Sequence, residues 1–182
     1  MKRLERQYDI SIWRRPFPLR RDIPPKGVLL EGIFARRGLD LKTMQNRSKE
    51  MAREHGLPMG DVKRIHNSRP AHELDAWATS LNRGDDWRDA VFHAFYAHGK
   101  NISDPQILGE IAESIGLSHK EAVERLDAGT FKQDVDLAWK RADDLGLVAA
   151  PTCLVNENRL VGAQPYEKLR LFAESNGAKR RD

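Results

Sequence analysis

Val148-Ala149-Ala150-Pro151-Thr152-Cys153-Leu154-Val155, followed by Asn156-Glu157-Asn158 and then by Val161-Gly162-Ala163-Gln164-Pro165-Tyr166, is the stretch that decides the fold. Upstream of it apolar residues recur at helical period. Within it they alternate, with Cys153 and Val155 on one face of a strand and Leu154 on the other. Pro151 stands where the strand opens, a position that tolerates a residue with no N–H to give to a ladder. Asn156-Glu157-Asn158 reads as a tight turn, and Arg159 to Val161 returns as a second strand. Gln164-Pro165 then opens a closing helix carrying Tyr166, Leu169, Leu171 and Phe172. A hairpin backed by a helix, after a long helical block, predicts an α/β protein.

Working outward, the chain before the hairpin is mostly helical. Met1 to Tyr8 reads as the last turns of a helix, with Leu4 its main apolar residue. Asp9 to Phe17 alternates Ile10 and Ile12 against Ser11 and Trp13 and predicts a half-buried strand, halted by Pro16 and Pro18. Leu19 to Gly27 is a loop marked by Pro24-Pro25. Val28 to Arg37 is a short helix, and Asp40 to His55 a longer one with Asp40 as N-cap and Gly56 as its stop. Gly60 to Asn67 is a short strand or extended segment. Pro70 to Gly84 presents Ala71, Leu74, Trp77, Ala78 and Leu81 on one helical face. The next helix, capped by Asp86, carries Val91, Phe92, Phe95 and Tyr96. Ser103-Asp104-Pro105 starts a helix with proline in its first turn. Ser118-His119-Lys120-Glu121 fits a capping box, and Phe131 to Leu145 is the last long helix before the hairpin. Gly177 to Asp182 reads as a frayed polar tail.

The 182 residues suffice for one well-cored domain with an insertion, and 40% hydrophobic with 32% charged residues is an ordinary globular composition. No apolar run approaches a membrane span, and Met1-Lys2-Arg3-Leu4-Glu5-Arg6-Gln7 has no apolar core of a signal peptide, so a cytoplasmic protein with no membrane partner is expected. The net charge of +4 and pI near 9.3 come from small clusters such as Arg14/Arg15 and Lys179/Arg180/Arg181, with acidic residues interleaved elsewhere. That pattern is a solvated basic surface, and no nucleic-acid partner is expected. Cys153 is the single cysteine. One thiol cannot cycle between dithiol and disulfide, and cannot build a thiolate zinc site.

The ordered motifs resemble one family. The apolar-Pro-Thr opening at 148–152 with Gly162-Ala163-Gln164-Pro165-Tyr166 resembles the C-terminal half of a DsbA-like thioredoxin domain. Trp13-Arg14-Arg15-Pro16-Phe17 with Ile23-Pro24 is similar to that family's second strand and following loop. Asn67-Ser68-Arg69-Pro70-Ala71-His72 is similar to the entry into its inserted helical domain, and Asn101-Ile102-Ser103-Asp104-Pro105 to a further element. Taken from Lys2 to Phe172, the resemblance implies a thioredoxin-like fold with a large inserted helical domain. The incomplete thioredoxin-like part would be residues 1–27 and 130–176, the insertion 28–129, and the polar tail 177–182. The resemblance further implies a cis-proline at Pro151. Ala150, Pro151 and Thr152 would then line the substrate, and Asn67, His72 and Gln164 a surrounding cleft.

The departure from the family is at the start. Its Cys-x-x-Cys stands at the N-terminus of the first helix, where the helix dipole lowers the thiol pKa. Here Met1 falls inside that helix, so the first strand and the Cys-x-x-Cys segment are expected to be absent, as in a truncated chain or one whose start codon is assigned too far downstream. Without that strand the sheet would carry a gap of about 9–10 Å, two inter-strand spacings. The second strand closing onto the hairpin, or a homodimer, would fill it. Cys153 occupies a packed strand position and is read as inert, with a redox thiol as the weaker alternative.

The resemblance thus implies a thiol–disulfide oxidoreductase acting on protein or small-molecule thiols and disulfides, inactive over these residues for want of Cys-x-x-Cys. The alternatives are a glutathione-dependent isomerase or transferase, like 2-hydroxychromene-2-carboxylate isomerase or the kappa-class transferases, and a non-catalytic binding remnant. No cofactor is expected beyond glutathione as a co-substrate. No metal is expected either, because His66 and His72, or His93 and His98, are not spaced to share one helical face. Trp77, Trp87, Trp139, Phe92 and Phe95 are read as helical core.

Overall fold

The computed structural model describes residues 1–24 and 26–181, so Pro25 of the loop and Asp182 of the tail lie outside the described residues. The chain forms two compact units. One is Met1–Leu19 with Ala138–Asp182, the other Arg20–Leu137. These divisions lie at Leu19/Arg20 and Leu137/Ala138, where the sequence suggested 27/28 and 129/130.

The unit of residues 20–137 is the helical one. It opens with β1 (Val28–Leu29) and α2 (Leu30–Ala35), then α3 (Leu41–Glu54) and β2 (Arg64–Ile65). The expected helix from Val28 therefore begins one element later. Its first two residues pair with β2 in antiparallel register, Val28 opposite Ile65 and Leu29 opposite Arg64. Gly27 makes that pairing fit. Its φ is +67°, and a Cβ there would stand 2.5 Å from the Ile65 carbonyl oxygen. Asp40 caps α3 as expected, its carboxylate accepting from the Thr43 amide at 2.8 Å.

The core of this unit comes from the four helices that follow: α4 (Arg69–Ser80), α5 (Gly84–Phe92), α6 (Pro105–Ser114) and α7 (His119–Ala128). Leu74, Trp77, Ala78, Trp87, Val91, Leu108, Ile111, Ala112 and Ala122 pack into one cluster. Trp87 also satisfies its indole, which donates to the Ala71 carbonyl at 3.0 Å. Asp104 and Ser118 cap α6 and α7, as their positions before Pro105 and three residues before Glu121 predict.

Two expectations fail here. Asp86 is not the cap of α5. The cap position is Arg83, and Asp86 lies in the first turn, where its charge suits the helix dipole and pairs with Arg83 at 2.6 Å. Phe92 is not core either: it is 58% exposed and pairs with exposed Tyr96 at 6.0 Å between ring centroids. Trp87, Val91 and Ala94, at helical spacing, face inward in place of the expected broad stripe, and the helix changes to i→i+5 bonding over His93–Ala97.

The unit of residues 1–19 and 138–182 contains α1 (Lys2–Gln7), the end of α8 (Lys132–Asp144), β3 (Thr152–Val155), β4 (Asn158–Val161) and α9 (Tyr166–Ser175). β3 and β4 pair from Thr152 opposite Val161 to Val155 opposite Asn158, and Asn156 takes φ +53° in the two-residue turn. Leu4, Tyr8 and Ala173 are its buried cluster, with Ile10, Tyr166 and Ala178 against it. The Tyr8 hydroxyl donates to Glu174 and the Tyr166 hydroxyl to Gln7, and the Arg3 guanidinium lies 3.8 Å from the centre of the Tyr166 ring, fixing α1 to α9.

Asp9–Phe17 does not form a ladder. Burial still alternates, Ile10 and Ile12 half-buried against exposed Ser11 and Trp13, but the only bridge is Tyr8 opposite Arg180 among the described residues. The side-chain period is thus intact while the backbone lacks a partner strand. The stretch expected to fray is tied down instead. Asp9 N donates to the Lys179 carbonyl at 2.8 Å and Arg181 N to the Gln7 carbonyl at 2.9 Å. No helix of the described residues is long and apolar enough to cross a membrane.

Candidate functional site

Three of the residues singled out by sequence form one corner at the mouth of β3. The Ala150–Pro151 peptide bond is cis. On one side of it the Thr152 hydroxyl donates to the Ala149 carbonyl at 2.7 Å, and on the other the Gly162 amide donates to the Pro151 carbonyl at 2.8 Å. Those two bonds clamp the corner from its own chain and from the end of β4. Gln164 belongs to the same corner: its Nε2 donates to the Val161 carbonyl at 2.7 Å, and Val161 stands opposite Thr152.

Ala150 and Pro151 are exposed, Val148 is 89% exposed, and Ala150 makes no backbone hydrogen bond among the described residues. The corner therefore offers a held, apolar, solvent-facing backbone edge. Chemically it can pair with an extended polypeptide.

Cys153 follows directly, half-buried and paired across the hairpin with Leu160. Burial pushes its thiol pKa up, which keeps it protonated near neutrality. The thiolate is the reactive form, so this environment is the opposite of the one that activates a cysteine.

Asn67 and His72 lie in the other unit, at the start of α4. The Asn67 side chain accepts from the Arg69 amide at 2.9 Å and donates to the Ile23 carbonyl at 3.4 Å, so it shapes the turn into the helix. Next to it is a charge network that single-sequence reasoning missed. Arg69 meets Glu73 at 2.9 Å, Asp136 at 2.8 Å and the Lys132 carbonyl at 3.2 Å. The Arg69–Glu73 pair has the (i, i+4) spacing visible in sequence, but Asp136 is joined only by the fold. Arg69, Glu73 and Lys132 border an open cavity of about 280 Å³, which Asn67 lines and His72 does not.

His72 has its ring Nδ1 shut off from water. Burial, reinforced by the Arg69 charge, lowers its pKa to about 4. His72 is then neutral near pH 7 and is no standing acid or cation. His66, at the end of β2, is also lowered by burial and by Arg64. Among the described residues no three His, Cys, Asp or Glu side chains gather as metal ligands.

Comparison with known proteins places these features. The family model of the DSBA-like thioredoxin domain matches residues 1–172. In solved structures, the chain is similar to a probable DsbA oxidoreductase from Streptomyces coelicolor, with TM-score 0.79 and 23% identity over 89% of this chain and 73% of that one. It is also similar to a 2-hydroxychromene-2-carboxylate isomerase, with TM-score 0.60 and 15% identity over 75% and 66% of the two chains. A third likeness is to the cytosolic disulfide reductase DsbM from Pseudomonas aeruginosa with GSH, at TM-score 0.52 and 21% identity over 69% and 71%. At such identities these likenesses establish the fold. Among curated proteins, YwbO of Bacillus subtilis (strain 168) is 30% identical over 88 residues, which are 48% of this chain and 44% of YwbO. The chain thus spans under half the length of the curated relative it matches.

Proposed function

Because the chain belongs to the family of DSBA-like thioredoxin domains, we propose that it is a thiol–disulfide oxidoreductase-like protein whose residues 1–182 supply the substrate-binding corner but no redox dithiol. The observation that carries this reading is the corner itself. Ala150 and Pro151 are held between the Thr152–Ala149 and Gly162–Pro151 hydrogen bonds while facing solvent. A held backbone edge receives an extended peptide with little ordering cost, and such main-chain pairing is sequence-tolerant. Thiol–disulfide exchange needs a second sulfur to release the mixed disulfide. This sequence has one cysteine, and its thiol is raised in pKa by burial.

The partner is a polypeptide or small molecule carrying a thiol or disulfide, with glutathione as the small-molecule candidate. The likeness to DsbM, solved with GSH, supports that choice. A lone half-buried thiol suits the reducing cytoplasm, which is where this reading places the protein. Two measurements test it. Insulin reduction by residues 1–182 stays at background, and turnover there overturns the reasoning about the lone thiol. Amide shifts on adding a cysteine-containing peptide centre on Ala150 and Thr152, and an unperturbed corner sinks the binding claim.

A second reading, a glutathione-dependent isomerase, is favoured by the likeness to 2-hydroxychromene-2-carboxylate isomerase. Tight glutathione binding by calorimetry, with no peptide shifts at the corner, would put that reading first.

A further inference from the structure

The change of helical bonding after α5 brings two histidines together. In an α-helix, residues five apart point about 140° away from each other, which is why the spacing of His93 and His98 predicts no shared face. Over His93–Ala97 the backbone bonds i→i+5 instead, and a π-helical turn of that kind sets the fifth residue roughly one turn on. The His93 and His98 rings accordingly meet edge to face, with centroids 4.9 Å apart and planes at 73°. Both side chains are exposed. Neither makes a hydrogen bond or an ion pair with another described residue. Each neutral ring therefore keeps a nitrogen lone pair for a ligand.

We infer that His93 and His98 form a two-histidine site for a divalent transition-metal ion, Zn²⁺ being the ion that suits its donors. Imidazole nitrogen is a preferred ligand of Zn²⁺, Cu²⁺ and Ni²⁺, whereas Mg²⁺ and Ca²⁺ take oxygen. The separation of the rings fits such an ion. A metal about 2.1 Å from a ring nitrogen lies about 3.2 Å from that ring's centre, so two rings on one tetrahedral ion stand roughly 5 Å apart. The observed 4.9 Å matches that spacing. Rotation about the broad terminal torsion of each histidine turns one nitrogen of each ring to a common point.

No third His, Cys, Asp or Glu gathers with the pair among the described residues, so water fills the remaining positions. The site is open and exchangeable, unlike the closed four-ligand sites that hold structural zinc. Lys100, two residues beyond His98, has its charge partnered by Glu110 at 3.0 Å, which limits its repulsion of an ion. The site depends on the widened turn, a distortion that is frequent where helices carry function.

The experiment titrates Zn²⁺ into the 182-residue chain near neutral pH, by calorimetry and by NMR of the imidazole nitrogens. One ion per chain is expected, with the His93 and His98 signals moving together. His93→Ala and His98→Ala should each bind at least about tenfold more weakly, or some 1.4 kcal/mol, while His55→Ala binds as the wild type does. Cu²⁺, which such nitrogen sites bind more tightly, should give an electron paramagnetic resonance spectrum coupled to two nitrogens, reduced to one in either single variant. The wild-type imidazole signals need no variant, so the test stands even where a substitution disturbs the helix. Absence of saturable binding overturns the proposal. So does a loss of affinity confined to one of the two histidines, or one equally large in His55→Ala.

Discussion

Lowering the pH from 7 to 5 should weaken the fold through His72, and the size follows from its surroundings. The His72 pKa is lowered to about 4 by burial and by the Arg69 charge, against a reference of 6.5. Its folded pKa lies below its unfolded one, so the unfolded chain binds the proton first as pH falls. Stability is complete above the unfolded value, declines between about 6.5 and 4, and levels off below. Integrating that difference gives a loss of about 2 kcal/mol between pH 7 and pH 5, and about 3.4 kcal/mol once both forms are protonated. For a chain of this size 2 kcal/mol corresponds to a fall in Tm of roughly 4–8 °C. Urea unfolding of the wild type and of His72→Leu at both pH values isolates the contribution, because the leucine variant should lose about 2 kcal/mol less over that interval. The imidazole titration can be followed directly by NMR. Equal pH dependence in the two proteins, or a His72 midpoint near 6.5, refutes the claim that its burial holds the ring neutral.

Two further substitutions probe the helical unit. Arg69→Ala leaves the buried Glu73, 5% exposed, without its partner and should cost about 3 kcal/mol in urea unfolding, whereas Asp136→Asn breaks a largely exposed pair and should cost under about 1 kcal/mol; equal costs would deny Glu73 its dependence on Arg69. Gly27→Ala puts a Cβ 2.5 Å from the Ile65 carbonyl oxygen at φ +67°, so a loss of roughly 1–3 kcal/mol with faster amide exchange along β1 and β2 is expected, and an unchanged Tm would show that the turn yields freely.

The sequence by itself determined the elements whose signals are local. Asp40, Asp104 and Ser118 cap their helices because a short polar side chain reaches an amide two or three residues on, wherever the rest of the chain lies. The hairpin followed from alternation around Asn156, and the cis bond at Pro151 from the family resemblance that the ordered motifs carry. The buried faces of α4 and α6 were legible because their period matches the helix. Tertiary structure decided what depends on a distant partner. Asp9–Phe17 alternates like a strand, but a ladder needs a neighbour's backbone, which no side-chain pattern supplies. Phe92 and Val91 are adjacent and both apolar, and it is Val91, in line with buried Trp87 and Ala94, that the packing of α5 turns to the core. His72 reads as an ordinary histidine until burial and Arg69 hold it neutral, and Arg69 meets Asp136 only because the chain returns there. Cys153 is the same case: that it is the single cysteine of these residues is read from the sequence, while its half-burial opposite Leu160 is set by the hairpin.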